Sequence, residues 1–273
     1  MNGFQLTDKD FHHLSAFVHK ECGINLHEGK RELVRARLSK RIRFLGLNGF
    51  GDYYDFLVKD PSGDERVEML NAISTNLTSF FREPKHFKFL TDIVFPDFQK
   101  KKDRKLMIWS AGCSTGEEAY SVAICSLEFF GINPDTTISI LATDISTRVL
   151  EAAGSGIYPD SGVSQIPSSI KTKYFQKGHK KWSGHIRVKK ILRRLVEFSY
   201  LNLMDELPYK NCFDIIFCRN VMIYFQKSMQ EKLVQKYFYA LKKGGYLFIG
   251  HSETLMGKEH NFKYIMPTIY QKV

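Results

Sequence analysis

From Leu106 the chain alternates short β-type runs with longer helical ones: Leu106 to Ser110, Glu117 to Phe130, Thr137 to Thr143 and Ser146 to Ala153. Such alternation builds a mostly parallel sheet with covering helices, because each parallel connection has to cross back over the sheet. Phe213 to Cys218 and Gly245 to Gly250 read as further buried strands, separated by an amphipathic helix from about Lys227 to Lys242. Two last runs, Phe262 to Met266 and Thr268 to Lys272, would close the sheet edge. Ahead of this α/β region, apolar residues recur at helical spacing from Phe11 to about Ser74, as in Val34, Leu38, Ile42 and Leu45. That spacing predicts about four helices, and a further helix over Lys85 to Gln99 leads into the sheet. The expected division is a helical N-terminal domain with interdomain segment over 1–84 and an α/β domain over 85–273. A small antiparallel unit, turning at Trp182 to His185, is inserted at about 155–197.

A chain of 273 residues, 43% hydrophobic, can bury a large core. No run approaches the roughly 18–20 apolar residues that span a bilayer, and Met1 to Asp10 has no signal-peptide pattern, so a cytoplasmic protein without direct membrane insertion is expected. Cys22, Cys113, Cys125, Cys212 and Cys218 lack any Cys-x-x-Cys pair, so they read as small buried hydrophobes and no metal site is expected. The net charge of +11 comes largely from two segments. Lys30 to Arg43 sets seven cations against Glu32 alone, and Lys171 to Arg194 carries ten cations and no acid.

The turn Ala111 to Gly116 sits where an α/β fold binds a nucleotide-like cofactor, between a first strand and the helix after it. It is not G-x-G-x-x-G, and Glu117 and Glu118 follow its glycine at once. A pyrophosphate there would face two carboxylates, whereas a cationic ligand such as S-adenosylmethionine would be attracted; equally, both acids suit the first turn of any helix. Asp144 ends the second strand, where a carboxylate can accept ribose hydroxyls, and an N-cap at Asp144 or Ser146 is locally as good. Arg219 and Asn220 close the strand Phe213 to Cys218 at its carboxyl end and point toward the site. Tyr224, four residues on, either shares that cleft or packs as a core aromatic. Asn76 to Glu83, taken alone, reads as a capping loop with a hydrophobic anchor.

In this order, Ser74 to Glu83, Trp109 to Tyr120, Ala142 to Ile145, Phe213 to Phe225 and Gly244 to Glu253 closely resemble the CheR family, the chemotaxis receptor methyltransferases. The resemblance implies an all-α N-terminal domain joined to a class I S-adenosylmethionine-dependent methyltransferase domain of Rossmann-like α/β fold, with a small antiparallel β-subdomain inserted in it. It implies transfer of methyl from S-adenosyl-L-methionine to glutamate side chains on the cytoplasmic helices of methyl-accepting chemotaxis proteins, leaving S-adenosyl-L-homocysteine. By motif, Asn76, Thr78 and Arg82 approach the cofactor from the interdomain segment. Glu118 and Asp144 hold its methionyl and ribosyl parts in either assignment, Asn202 and Leu203 lie near the adenine, and Arg219 and Asn220 near the methionyl end. Ala119 stands where proline is frequent in the family.

A glutamate, with an ordinary pKa near ~4.3, is already ionised at neutral pH and needs no general base to attack a sulfonium methyl. Catalysis then reduces to positioning and desolvation, with Arg82 and Tyr224 as the expected catalytic residues. Receptor methylation helices are acidic, so the basic helix Lys30 to Arg43 is an expected docking surface, with Arg35, Arg37, Lys40 and Arg43 opposite its apolar face; a solvated charged helix is the plainer reading. Some family members tether a receptor tail on the β-subdomain, but Gln176 to Gly184 is less glycine-rich than in those members, which leaves a tail contact open. A nucleic-acid methyltransferase is disfavoured: no Asn-Pro-Pro-Tyr-like motif is present and neither basic segment is interleaved with aromatics, so no nucleic-acid partner is expected. A catalytically silent adaptor is the other alternative.

Overall fold

The computed structural model describes residues 4–101, 104–132 and 135–273; the first three residues and positions 102 and 103 of the charged run lie outside the described residues. Four helices open the chain: α1 (Asp8–Cys22), α2 (Arg31–Phe44), α3 (Phe50–Lys59) and α4 (Asp64–Ile73). The α1 start is a capping box, in which Thr7 Oγ1 accepts from the Asp10 N–H and the Asp10 carboxylate accepts from the Thr7 N–H. Leu14, Val18, Val34, Leu38, Ile42, Tyr53 and Leu57 form the core between these helices, each fully buried. Within that core Glu65 accepts from Arg41 Nε and Nη2 and from the Tyr53 hydroxyl, at 2.5–3.0 Å.

The next helical run is α5 (Pro84–Phe89), a π-type turn at Leu90–Val94 and α6 (Phe95–Gln99). Pro96 has no N–H for the carbonyl of Asp92, and the Phe95 N–H bonds back to Leu90, five residues earlier, which widens that turn. The remaining elements are β1 (Lys105–Ala111), α7 (Glu117–Phe130), β2 (Thr137–Asp144), α8 (Thr147–Ser155), β3 (Ile157–Pro159), α9 (Ser168–Tyr174), β4 (Phe175–Lys177), β5 (His185–Val188), α10 (Lys190–Arg193), β6 (Val196–Tyr200), β7 (Phe213–Cys218), α11 (Lys227–Ala240), β8 (Leu241–Ile249), β9 (Phe262–Met266) and β10 (Ile269–Lys272).

Seven strands form one sheet in the order β6-β2-β1-β7-β8-β10-β9; β10 runs antiparallel to both of its neighbours, and the other six strands run parallel to one another. All six residues of β7 are buried, as a central strand covered on both faces requires. The chain runs outward from β1 through β2 to β6 and then returns to the other side of β1 as β7. The carboxyl ends of β1 and β7 therefore flank the crevice where open α/β sheets bind ligands. A separate antiparallel sheet, β3-β5-β4, is the inserted unit.

Three features depart from the sequence reading. The helix expected to reach Lys242 stops at Ala240, because Leu241 turns extended and pairs with Phe213. The strand Val196–Tyr200 was not anticipated; as a sheet edge it buries only Val196, so it lacks the apolar run that marks β7. Four of the cysteines are buried, whereas Cys212 is partly exposed, and all five are free. Among the described residues no helix is long and apolar enough to cross a membrane.

The helical lobe docks on the sheet lobe through Asn71, which is 3% exposed. Its Oδ1 accepts from the Ser146 hydroxyl at 2.8 Å, its Nδ2 donates to Thr147 Oγ1 at 3.0 Å, and its carbonyl accepts from Arg148 at 3.2 Å. Asn71→Ala strands the fully buried Ser146 hydroxyl, so a loss of about 1–3 kcal/mol is expected, read as a lower urea midpoint at unchanged slope.

Candidate active site

A single pocket lies over the carboxyl ends of β1, β2 and β7, beneath the α1–α2 connection and the segment 73–82. Asn76, Thr78, Arg82, Glu118, Asp144, Asn202, Leu203, Arg219, Asn220 and Tyr224, the ten residues singled out from the sequence, all line it. Residues that the sequence reading did not place there also do: Lys30 and Leu33 from the start of α2, Ile24 to Leu26 before it, and Ile145 and Leu201.

The turn after β1 is shaped by its backbone. The N–H groups of Gly112 and Cys113 both donate to the Thr143 carbonyl, at 2.8 and 2.9 Å, which folds the turn over the end of β2. Gly112 has φ +83, and a Cβ there would lie 2.4 Å from Val221 Cγ2, so only glycine fits between the turn and the segment after β7. Ser114, also left-handed, donates its N–H to Asp144 Oδ2 at 2.8 Å and its hydroxyl to the Asn76 carbonyl at 2.8 Å. Asp144 Oδ1 accepts from the Ser146 N–H at 2.9 Å. The two readings of Asp144 thus coexist: it braces the entry to α8 and lines the pocket. Burial raises its pKa, opposed by the N–H groups of Ser146, Ser114 and Ile145.

Glu118 turns from the first turn of α7 toward β1 and accepts from Ser110 Oγ at 2.6 Å and from Arg219 Nη1 at 3.1 Å. Burial raises its pKa and Arg219 opposes the rise. It is therefore held by specific partners, beyond what a favourable helix dipole alone would do. Arg219, with a side chain 2% exposed, also donates to the Arg82 carbonyl at 2.5 Å and pairs with Glu83 at 3.1 Å. Burial acts to raise the Glu83 pKa, but Arg219 and the His251 N–H outweigh it and the net shift is downward. Arg219 thus braces the pocket wall through partners 101 to 137 residues away.

Asn220 is left-handed, with φ 58, and its backbone is fixed by Glu253. One Glu253 oxygen accepts from Val221 and Met222, and the other from Asn220 and Gly250, all at 2.5–3.0 Å. Gly250 is required where it stands, since a Cβ would sit 2.6 Å from Asn220 Nδ2. The role of Glu253 could have been suspected only from its place in the last family motif; nothing in its own neighbourhood shows that it reaches back to β7.

Across the pocket, Asn202 donates to the Glu21 carbonyl at 2.7 Å and the Asn25 N–H donates to the Tyr224 carbonyl at 2.8 Å. Ile24 and Phe225 form an antiparallel bridge beside them. Gly23 packs so closely on Met204 that a Cβ would lie 2.6 Å from its sulfur. Arg82 is anchored by Nη1 to the Leu77 carbonyl at 2.9 Å, and its other nitrogens have no hydrogen-bond partner among the described residues. Tyr224 is half-buried and faces the pocket, not the core.

The lining chemistry fits S-adenosylmethionine. The carboxylates of Asp144 and Glu118 keep accepting capacity for hydroxyl or ammonium groups, and Ile145, Leu201 and Leu203 offer apolar surface for a base. Four N–H groups of the turn are already engaged, those of Gly112 and Cys113 by Thr143, of Ser114 by Asp144 and of Gly116 by Cys113, and so do not face a pyrophosphate.

The basic helix differs from expectation. Arg37 is not presented to solvent: it donates to the carbonyls of Ala72, Ile73 and Ser74 and completes the end of α4. Arg31 pairs with Asp8 and Glu28, Arg35 with Glu32, and Arg41 with Glu65 and Glu68. Among the described residues, Lys30, Lys40 and Arg43 are the cations of this segment whose side chains meet neither a carboxylate nor a carbonyl.

Glu253→Ala removes the acceptor for four N–H groups at once. It is expected to cost at least about 2–3 kcal/mol and to weaken S-adenosylhomocysteine binding by displacing Asn220, which denaturation and titration calorimetry would measure separately.

Two family descriptions span the chain. "CheR methyltransferase, all-alpha domain" matches residues 9–74 and "CheR methyltransferase, SAM binding domain" matches residues 76–271. The chain is 42% identical to a chemotaxis protein methyltransferase of Borreliella burgdorferi, with 98% of this chain and 95% of that protein covered. It is 40% identical to chemotaxis protein methyltransferase 2 of Pseudomonas aeruginosa, covering 98% and 94%, and 37% identical to the chemotaxis protein methyltransferase of Escherichia coli, covering 97% and 91%. With all ten anticipated residues around one pocket and both lobes matched, the chain belongs to the CheR family of S-adenosylmethionine-dependent methyltransferases.

Proposed function

We propose that this enzyme methylates glutamate side chains on the cytoplasmic helices of methyl-accepting chemotaxis receptors, forming methyl esters, and that it works in the cytoplasm. The observation that carries the reading is the absence of a free base: among the described residues lining the pocket there is no histidine, and both carboxylates are engaged. A substrate methylated here brings a nucleophile that needs no deprotonation, as a carboxylate ionised at neutral pH does and an amide or hydroxyl does not. S-adenosylmethionine, when bound, supplies the electrophilic methyl group. Lys30 and Arg82 line the same pocket and complement an anionic substrate. The free nitrogens of Arg82 and the Tyr224 hydroxyl can orient a carboxylate, and residues of the helical lobe cover the pocket. Asn76, Thr78, Asn202, Leu203 and Asn220 also line the pocket, which supports their assignment to cofactor binding.

Methyl-labelled S-adenosylmethionine incubated with receptor cytoplasmic fragments or with RNA tests the reading. Base-labile label on receptor glutamates is expected, while label on RNA, or cofactor binding without turnover, overturns it. In the same assay Arg82→Ala and Tyr224→Phe are expected to lower kcat by at least ~10-fold while cofactor affinity is kept; unchanged kcat in both removes them from the chemistry.

Lys40 and Arg43 are the exposed cations of α2 left for an acidic receptor helix. Charge reversal at both is expected to raise KM for receptor several-fold, more at low salt, with kcat kept. Arg37→Ala should instead lower the melting temperature, because it uncaps α4.

A further inference from the structure

His86, on α5, is 1% exposed and belongs to none of the roles above. Its Nε2 lies 2.6 Å from Thr268 Oγ1, and that hydroxyl donates its only proton to the Pro267 carbonyl. Nε2 therefore carries the imidazole proton, and Nδ1 presents a bare lone pair. Nδ1 is buried without a hydrogen-bond partner. What it faces is another acceptor, Glu83 Oε2 at 3.5 Å, with His251 Nε2 3.8 Å from the same oxygen. Two acceptors turned toward each other in a buried corner are unfavourable unless something positive stands between them.

We propose that Glu83, His86 and His251 form a binding site for a divalent transition-metal ion of the zinc class, and that its occupancy draws Glu83 away from Arg219. The three ligand atoms lie within 4.8 Å of one another. The 3.5 and 3.8 Å separations from Glu83 are close to the ~3.3 Å that separates ligands in a tetrahedral zinc site with bonds of ~2.0 Å. Two imidazole nitrogens and one carboxylate suit zinc, whereas calcium and magnesium require oxygen. The buried pair is anchored: His86 by Thr268, and Glu83 by the His251 N–H at 3.2 Å and by Arg219. His251, 52% exposed in its side chain, can close on the ion and gives it a path from solvent. The ion and Arg219 share one carboxylate, so the site communicates with the cofactor pocket and binds less tightly than a closed structural zinc site.

Zinc titrated into the chelator-stripped full chain, in competition with a chromogenic chelator, tests the site. One ion per chain is expected, with affinity at least ~10-fold weaker in His251→Ala and unchanged in His179→Ala, an exposed histidine elsewhere. Cobalt(II) in place of zinc should give visible bands that His251→Ala abolishes. Equal zinc binding in the wild type and His251→Ala, or no binding in either, overturns the site and leaves a water as the bridge between Nδ1 and Glu83. Zinc should also weaken S-adenosylhomocysteine binding several-fold in the wild type and not in His251→Ala; equal affinity with and without zinc overturns the link to Arg219.

Discussion

The buried guanidinium of Arg219 is the constraint around which the pocket is arranged. Taking such a cation out of water costs several kcal/mol, and the cost is offset only if its donors are met with good geometry. Here they meet Glu118 at the start of α7, Glu83 before α5 and the carbonyl of Arg82. One side chain at the end of β7 thereby holds two stretches that are remote from it in sequence, residues 82–83 and the start of α7. The interdomain segment adopts left-handed backbone at Phe81 and at Glu83 to reach it. Non-glycine residues in that region carry a strain of roughly 1–3 kcal/mol each, which the buried ion pairs sustain.

A second layer of restraint sits behind Arg219. Glu253 gathers the N–H groups of the backbone that follows β7, and Gly250 and Gly112 leave the space that this backbone occupies. The helical lobe then closes the crevice from above, held by Asn71 on Ser146, by Asn202 on Glu21 and by the bridge between Ile24 and Phe225. Much of the positive charge in α2 is consumed in holding that lobe together. Net charge in a sequence is therefore a poor guide to the charge a partner meets: Arg41 neutralises the buried Glu65, and Arg37 satisfies the end of α4.

The sequence by itself determined the strand-turn-helix unit at Ala111 to Glu117, the buried strand ending in Arg219 and Asn220, the four-helix opening and the place of the inserted antiparallel sheet. Each is written in local periodicity, in glycines at a turn or in residues adjacent in the chain, and the ordered motifs carried the family. Only the tertiary structure decided what lies across a fold: that Glu253 cradles the backbone after β7, that Arg37 faces inward, that β6 exists as a half-exposed edge, and that His86 and His251 meet at Glu83. Those arrangements depend on which donors are left unsatisfied once the lobes pack, and a hydrogen bond or ion pair between residues thirty or more positions apart leaves no periodic trace in the chain.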